Sequence, residues 1–305
     1  MFDISNKIKT LRTAEARGKL FLSSETINLI KEGKVPKGNP LEVAKVAAVL
    51  SVKNVSNIIP YTHHVPIEHV DVDFEFFENF IEVKVKVKAI YKTGVEMEAL
   101  LGTSIALLTL YDMLKMLDDK MYISEIKLVE KKGGKKDFKE EFERKLKGAV
   151  IVISDSVFSG KKDDLSGKLI TSRLKNEGIE VVDYKIIPDE IDEIINSIKY
   201  YADNLKVDLI ITTGGTGFSP RDNTPEAMLK VIEKEIPGIP EAIRSYGQER
   251  TPYSMLSRAK SGIRGRTIII NLPGSKRGVQ ESLDAIFPGL LHGFKMLWGG
   301  KHKND

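Results

Sequence analysis

Residues 80–89, FIEVKVKVKA, place an apolar side chain at every second position, which predicts a strand with one buried and one wet face. Residues 69–75 alternate in the same way and predict its neighbour, and 123–129 read as a further strand. Residues 97–117 are apolar at helical spacing and too long for a strand, so they predict a helix. Two more helices are predicted at 24–32 and 40–52, the first capped by Ser23 or Ser24. Strands and helices mixed in this order predict an α+β sandwich of the ferredoxin-like kind, with helices on one face of an antiparallel sheet.

The second half has a different pattern. Short, largely apolar runs at 149–153, 207–211 and 267–270 read as strands buried on both faces, and 181–187 reads as a further strand. Between them come a helix at 168–177 and another with Ile191, Ile194, Ile195 and Ile198 at helical spacing. Alternation of this kind predicts a three-layer α/β domain with a mostly parallel sheet. The loops at Ser154, Asp189, Gly214 and Pro273 then converge at one sheet edge. The stretch 131–147 is charged, carries a glycine pair, and separates the two patterns. The expected domains are therefore 1–136 and 148–305, joined by a linker at 137–147.

Composition narrows the classes of function. The 305 residues are 41% hydrophobic and 30% charged, a globular balance. A net charge of +4 is too mild to argue for nucleic acid but suits anionic small molecules. Cysteine is absent, which excludes disulfides, thiolate metal sites and cysteine nucleophiles. Abundant Lys, Glu and Ile lean towards a heat-adapted cytoplasmic protein. The polar start at Met1 gives no signal peptide, and no apolar run is expected to reach membrane-spanning length.

The densest chemistry lies at 212–227, TTGGTGFSPRDNTPEA. It follows the apolar run 207–211, and Thr224-Pro225 reads as a helix N-cap with proline at the first helical position. Glycines let backbone N–H groups approach a ligand, and a helix N-terminus favours anions. The dinucleotide fingerprint fails, because Gly215-Thr216-Gly217 lacks the later glycine. A P-loop fails too, since Gly167-Lys168 is followed by Leu169. The stretch instead resembles the signature of the molybdopterin adenylyltransferase family, a signature shared with molybdopterin molybdenum-insertion enzymes.

That resemblance runs from about residue 148 to the end and implies a set of roles. Asp189 and Asp222 stand where the family holds a magnesium ion. Asp164, Ser166 and Gly167 fit its nucleotide-side loop, with Ser154 beside them. Gly214, Gly215, Thr216 and Gly217, with Pro273, Gly274 and Ser275, fit its ligand loops. Lys276 stands where relatives often have proline. Mg²⁺ takes one or two carboxylates together with phosphates and water, which suits two loop aspartates. The implied reaction is attack of the molybdopterin phosphate on the α-phosphorus of ATP, with release of pyrophosphate. Taken alone, either aspartate reads as a turn residue sooner than as a ligand.

In the first half, Glu96 and Glu98 open the long helix, where acidic residues are stabilising in themselves. Asp112 and Lys115 are three apart on one helical face, which suits a surface ion pair or a site. His63 and His64 follow Pro60-Tyr61-Thr62 in a loop, without zinc-enzyme spacing. These pieces resemble, in order, the cyclic pyranopterin monophosphate synthase family. Its motifs stand here as Gly94-Val95-Glu96-Met97-Glu98-Ala99-Leu100, as Leu108-Thr109-Leu110-Tyr111-Asp112-Met113-Leu114-Lys115, as Lys37-Gly38 and as Ile59-Pro60-Tyr61-Thr62-His63.

The resemblance places catalysis on Lys37, Asp112 and Lys115 and substrate binding on Arg12, His63, Glu96, Glu98, Lys131 and Lys135. Asn39, His64, Lys132 and Lys136 depart from the family pattern. A triphosphate substrate, a cyclised dihydro-GTP, needs such cations. The proton shuttling needs a lysine lowered towards neutrality by burial or neighbouring cations. No cofactor is expected for this half. The chain is thus expected to be bifunctional, to take the cyclic dihydro-GTP, molybdopterin and ATP, and to form a homo-oligomer between dimer and hexamer, with no nucleic-acid or membrane partner. Two alternatives stay open: a second half that only carries molybdopterin, and a first half kept as an oligomerisation scaffold.

Overall fold

The structure, a computed structural model, describes residues 1–299, so 300–305 of the expected second domain lie outside it. The chain divides into two compact units between Asp137 and Phe138.

The first unit runs β1 (Thr10–Phe21), α1 (Ser24–Lys31), α2 (Pro40–Lys53), α3 (Val55–Ile58), β2 (His69–Phe76), β3 (Phe80–Tyr91), α4 (Glu96–Leu114) and β4 (Tyr122–Lys132). Its four strands form an antiparallel sheet in the order β2-β3-β1-β4, the arrangement of the expected ferredoxin-like sandwich. Alternation decides which face is covered. Ile81, Val83, Val85 and Val87 of β3 join Ala14, Ala16 and Leu20 of β1 in one core with Ala48, Ala106, Leu107 and Leu110 of the helices. On the opposite face, Arg17 pairs with Glu15 at 2.8 Å and with Glu82 at 3.4 Å.

Two expectations change. β1 was not anticipated, yet it is a central strand. Its inward positions are the small Ala14, Ala16 and Gly18, which let α4 settle closely; a Cβ at Gly18 would lie 2.6 Å from Leu107. Helix α4 also has the length and composition of a membrane span, contrary to expectation. Its Ala99, Ala106, Leu107, Leu110 and Leu114 are fully buried in the core of this unit, which accounts for the apolar run. Caps fall largely as the side chains dictate: Ser23 Oγ accepts the Thr26 N–H at 3.2 Å, and Asn39 Oδ1 accepts the Leu41 N–H at 3.1 Å.

The second unit comprises β5 (Lys147–Ile153), α5 (Asp155–Phe158), α6 (Ser166–Asn176), β6 (Glu180–Ile187), α7 (Ile191–Lys199), β7 (Leu209–Thr213), α8 (Thr224–Val231), β8 (Lys234–Glu235), α9 (Gly238–Gln248), β9 (Ser261–Arg264), β10 (Thr267–Leu272), α10 (Lys276–Ile286) and α11 (Gly289–Leu297). The sheet order is β6-β5-β7-β10-β9-β8. The first four strands are parallel, β9 pairs antiparallel with β10, and β8 pairs antiparallel with β9. Each apolar strand feeds both layers of helices. Val150, Ile211 and Ile270 pack with Ile170, Leu174, Val279 and Leu283, while Ile151, Ile210 and Ile269 pack with Ile194, Ile198, Ala227 and Met228. Residues after Asp137 pack on this unit. Phe142 meets Trp298 edge-on at 5.8 Å, and Arg144 grips the buried Asp208 at 2.7 and 2.6 Å.

Strand order reverses at β5. The chain leaves β5 for β6 on one side and returns past it to β7 on the other, so the loops after β5 and β7 part and leave a crevice at the carboxyl edge.

Candidate active sites

At one end of α4, Lys37 comes from far away in sequence to meet Asp112 and Lys115. The Lys37 ammonium donates to the Asp112 main-chain carbonyl at 2.7 Å and to Asp112 Oδ2 at 3.0 Å. Lys115, one helical step on, pairs with Asp112 Oδ1 at 2.8 Å. Hydrogen bonds from Lys115 and then Lys37 hold the Asp112 carboxyl below its ordinary range. Bonding to Asp112 holds the Lys115 ammonium above its ordinary value. The expectation of a lysine lowered towards neutrality is therefore not met at Lys115 within one copy. The ion pair is exposed, and its carboxylate favours the charged amine.

The other end of α4 gathers a second set. Glu96 Oε1 receives Lys131 at 3.2 Å. Arg12 donates to the carbonyls of Tyr91 and Lys92 at 3.3 and 3.4 Å, just before that helix. The glycine pair is pinned by Asp137, which accepts the N–H groups of Gly133 at 2.6 Å and Gly134 at 3.0 Å, with Lys135 exposed beside them. Glu98 is only 4% exposed, and burial, with Glu96 behind it, pushes its carboxyl up to about 6. His63 lies half-buried in the loop after α3, and the neighbouring His64 meets Ser56 Oγ at 3.3 Å.

These two sets are not one site within a single copy. Glu96 and Asp112 are sixteen positions apart on one continuous helix, which is roughly 24 Å at the α-helical rise.

In the second unit the crevice is a cleft of about 470 Å³ lined by Ser154, Asp164, Ser166, Asp189, Gly214, Gly215, Asp222, Gly274 and Ser275, among others. The four converging loops thus meet as the pattern predicted. Gly214 and Gly215 turn the chain off β7 with φ of 107° and 62°, and a Cβ at Gly214 would strike the Ile153 carbonyl at 2.0 Å. Thr213 Oγ1 donates to the Pro273 carbonyl at 2.6 Å, Ser166 Oγ donates to Gly274 O at 2.8 Å, and Ser275 Oγ caps α10 through the Gly278 N–H at 3.1 Å. Asp164 accepts the Gly167 N–H at 2.8 Å on one oxygen and the Tyr184 hydroxyl on the other, so it ties the start of α6 to β6. Thr216 is buried, and a Cβ at Gly217 would lie 2.9 Å from Asp222 Oδ2.

Asp189 faces this cleft under strain of charge. Its N–H donates to Asp155 Oδ1 at 3.1 Å, and the Asp155 N–H donates to Asp189 Oδ2 at 3.2 Å. Arg221 locks Asp155 at 2.9 Å and Glu190 at 2.8 Å. Burial, and then the charges of Asp155 and Asp222, hold the Asp189 carboxyl above its ordinary range. Its Oδ1 is buried without a partner. Among the described residues, six buried side-chain polar atoms lack one, and three belong to Asp189, Thr224 and Glu226. Buried polar atoms without a partner are uncommon and call for an explanation, and one of these, on Asp189, stands in the lining of the cleft.

One expectation at the anchor stretch is corrected. Thr224 is the first residue of α8 rather than its cap; Asn223 holds the cap position, and no side-chain bond closes it. Sequence reasoning also missed Arg258. Its N–H meets Thr216 O at 3.0 Å, and its guanidinium donates to Gly217 O at 2.8 Å, to Asp222 O at 2.5 Å and to Glu226. It lies on an irregular segment whose pattern gave no signal. Among the described residues no three His, Cys, Asp or Glu side chains cluster as a metal-only cage, which includes His63, His64 and His69.

An antiparallel α+β sandwich and a three-layer α/β unit, each with its own polar cluster, make this a chain of two different domains. Residues 1–134 match the MoaC family, and 149–292 match the family described as a probable molybdopterin binding domain. The chain is 36% identical over 302 residues to the molybdenum cofactor biosynthesis bifunctional protein of Chlorobaculum tepidum, covering 99% of this chain and 96% of that one. It is 34% identical over 292 residues to the cyclic pyranopterin monophosphate synthase of Aquifex aeolicus, covering 95% and 97%. The crystal structure of the molybdopterin biosynthesis enzyme MoaB from Thermus thermophilus shares 40% identity, covers 52% of this chain and 99% of its own, and superposes with a TM-score of 0.49. The chain belongs to the bifunctional molybdenum cofactor biosynthesis proteins.

Proposed function

We propose that the first unit converts (8S)-3′,8-cyclo-7,8-dihydroguanosine 5′-triphosphate to cyclic pyranopterin monophosphate and pyrophosphate, and that the second transfers AMP from ATP to molybdopterin. The observation that carries the first reading is the Lys37–Asp112–Lys115 cluster, an acid held between two cations. Ring opening and closure need protons moved at defined atoms, and loss of pyrophosphate needs developing negative charge stabilised. Arg12, Lys131 and Lys135 supply further cations for a triphosphate. Because they lie with Glu96 at the far end of α4, the reading includes a homo-oligomer in which one copy's lysine end meets another copy's glutamate end.

For the second unit the support is Asp189 Oδ1, buried without a partner in a cleft that Asp222 also lines. Two carboxylates with open space for phosphates suit Mg²⁺ rather than a dense cage, so Asp189 and Asp222 fit the ion. When bound, Mg²⁺ supplies neutralisation of the ATP phosphates. The chain's own part is to position: the Gly214–Gly217 loop and the Ser275 cap hold the reactants while a molybdopterin phosphate oxygen bonds to the α-phosphorus and the bond to pyrophosphate breaks. Lys115→Ala and Asp222→Asn separate the two readings. Each variant should lose one activity and keep the other, and a chain with neither activity in its parent form would leave the carrier or scaffold reading.

A further inference from the structure

Thr224 is fully buried, opens α8, and does not cap it. Its Oγ1 has no hydrogen-bond partner, and neither has Asp189 Oδ1. The two belong together. The point where a Cβ would stand at Gly215 is 2.2 Å from Thr224 Oγ1 and 3.1 Å from Asp189 Oδ1, so the oxygens flank the same bare α-carbon. They can be no farther apart than those two distances end to end, yet they do not bond. One is a donor and the other a charged acceptor. Closed from water, such a pair is unfavourable until it meets. A main-chain tie already exists alongside, from the Thr224 N–H to Gly215 O at 3.3 Å.

We propose that Thr224 is the positioning residue for Asp189: when a divalent cation is taken at the cleft, its hydroxyl donates to Asp189 Oδ1 across Gly215 and fixes the carboxylate in its ligating orientation. The inference rests on the cation reading of Asp189 given above. Carboxylates that hold metal are themselves oriented by hydrogen bonds, and loss of such a bond lowers affinity by about 10- to 100-fold. Glycine at 215 leaves room beside both oxygens, and a Cβ there would crowd Thr224 Oγ1 at 2.2 Å and Asp189 Oδ1 at 3.1 Å.

The test uses the full chain, a non-cleavable ATP analogue and Mn²⁺ as a spectroscopic probe. Thr224→Val removes an unpartnered buried hydroxyl, so thermal stability without metal should hold or rise, while Mn²⁺ affinity falls by about tenfold or more. Thr224→Ser keeps the donor and should keep the affinity. Parent-like Mn²⁺ binding in Thr224→Val overturns the inference, as does a loss of affinity in both variants that follows a loss of stability. A parent chain that takes no Mn²⁺, or takes it equally with Asp189→Asn, overturns the cation reading itself and the inference with it.

Discussion

Lys37 reaches across 75 residues of sequence to bond both the main-chain carbonyl and the carboxylate of Asp112, at 2.7 and 3.0 Å. With Lys115 on the other carboxylate oxygen, one acid is shared by two ammonium groups. The pairs are exposed and contribute little stability. They hold the Asp112 carboxyl below its ordinary range and the Lys115 ammonium above its own.

Asp112→Asn should therefore bring the Lys115 pKa down from its raised value, because the bond and charge that favour the ammonium both weaken. Heteronuclear titration of the lysine side chains reads this directly. Pyranopterin formation should fall on the order of a hundredfold, as for loss of a positioned acid–base group, with the fold intact. A Lys115 titration unmoved by the substitution would detach Asp112 from that role.

If the two ends of α4 belong to one site only across copies, two inactive variants should rescue each other. Lys115→Ala and Glu96→Ala damage opposite ends of a helix roughly 24 Å apart along its axis. Mixed and allowed to exchange subunits, they should regain about a quarter of parent activity if each site draws on two copies. Failure to regain any activity, with exchange shown by labelled subunits, would return all the residues to a single copy.

Glu98 gives a pH test with a fixed sign. Its carboxyl sits at about 6 against an ordinary 4.5, so the folded chain binds a proton more tightly than the unfolded one. Ionised, the group opposes folding; as pH falls from above about 6 to below 4.5, that penalty is relieved. Glu98→Gln should stabilise the first unit by about 2 kcal/mol at pH 8 and far less at pH 4.5. Calorimetry of parent and variant at the two pH values checks the difference, and an equal effect at both would show that burial does not govern this carboxyl.

Much of this was legible because the side chains that make the folds also mark their periods. β3 declared itself by the run Val83-Lys84-Val85-Lys86-Val87, and β5, β7 and β10 by short, largely apolar runs. β1 escaped because its inward residues are Ala14, Ala16 and Gly18, too small to stand out, although their alternation with Glu15, Arg17 and Lys19 was there to be read. The chemistry was legible where it is local, as in Thr212–Ala227, and opaque where it depends on distance. Only the fold shows that Lys37 meets Asp112, that the length of α4 parts Glu96 from Asp112, and that Thr224 leaves its hydroxyl unpaired.

Arg258 is the plainest case of that opacity, and it carries the last expectation. Its side chain ties Gly217 O at 2.8 Å and Asp222 O at 2.5 Å and also meets Glu226, so it fastens the two ends of the anchor loop together. Asp222 is thereby held by its main chain, leaving its carboxylate near Gly217 and the Ser219 N–H at 2.8 Å. Without the guanidinium fork, the loop should keep its β7 and α8 anchors but lose the register of Asp222. Arg258→Ala should then raise the Mg²⁺ concentration for half-maximal adenylyl transfer by roughly tenfold or more, as for other groups that orient a metal ligand. Arg258→Lys should recover little, because an ammonium cannot bridge two carbonyls and a carboxylate in one plane. Molybdopterin binding, measured without ATP, should change far less. If Arg258→Ala needed no more Mg²⁺ than the parent and lost only thermal stability, the residue would be a fastening of the fold and no part of the cation site.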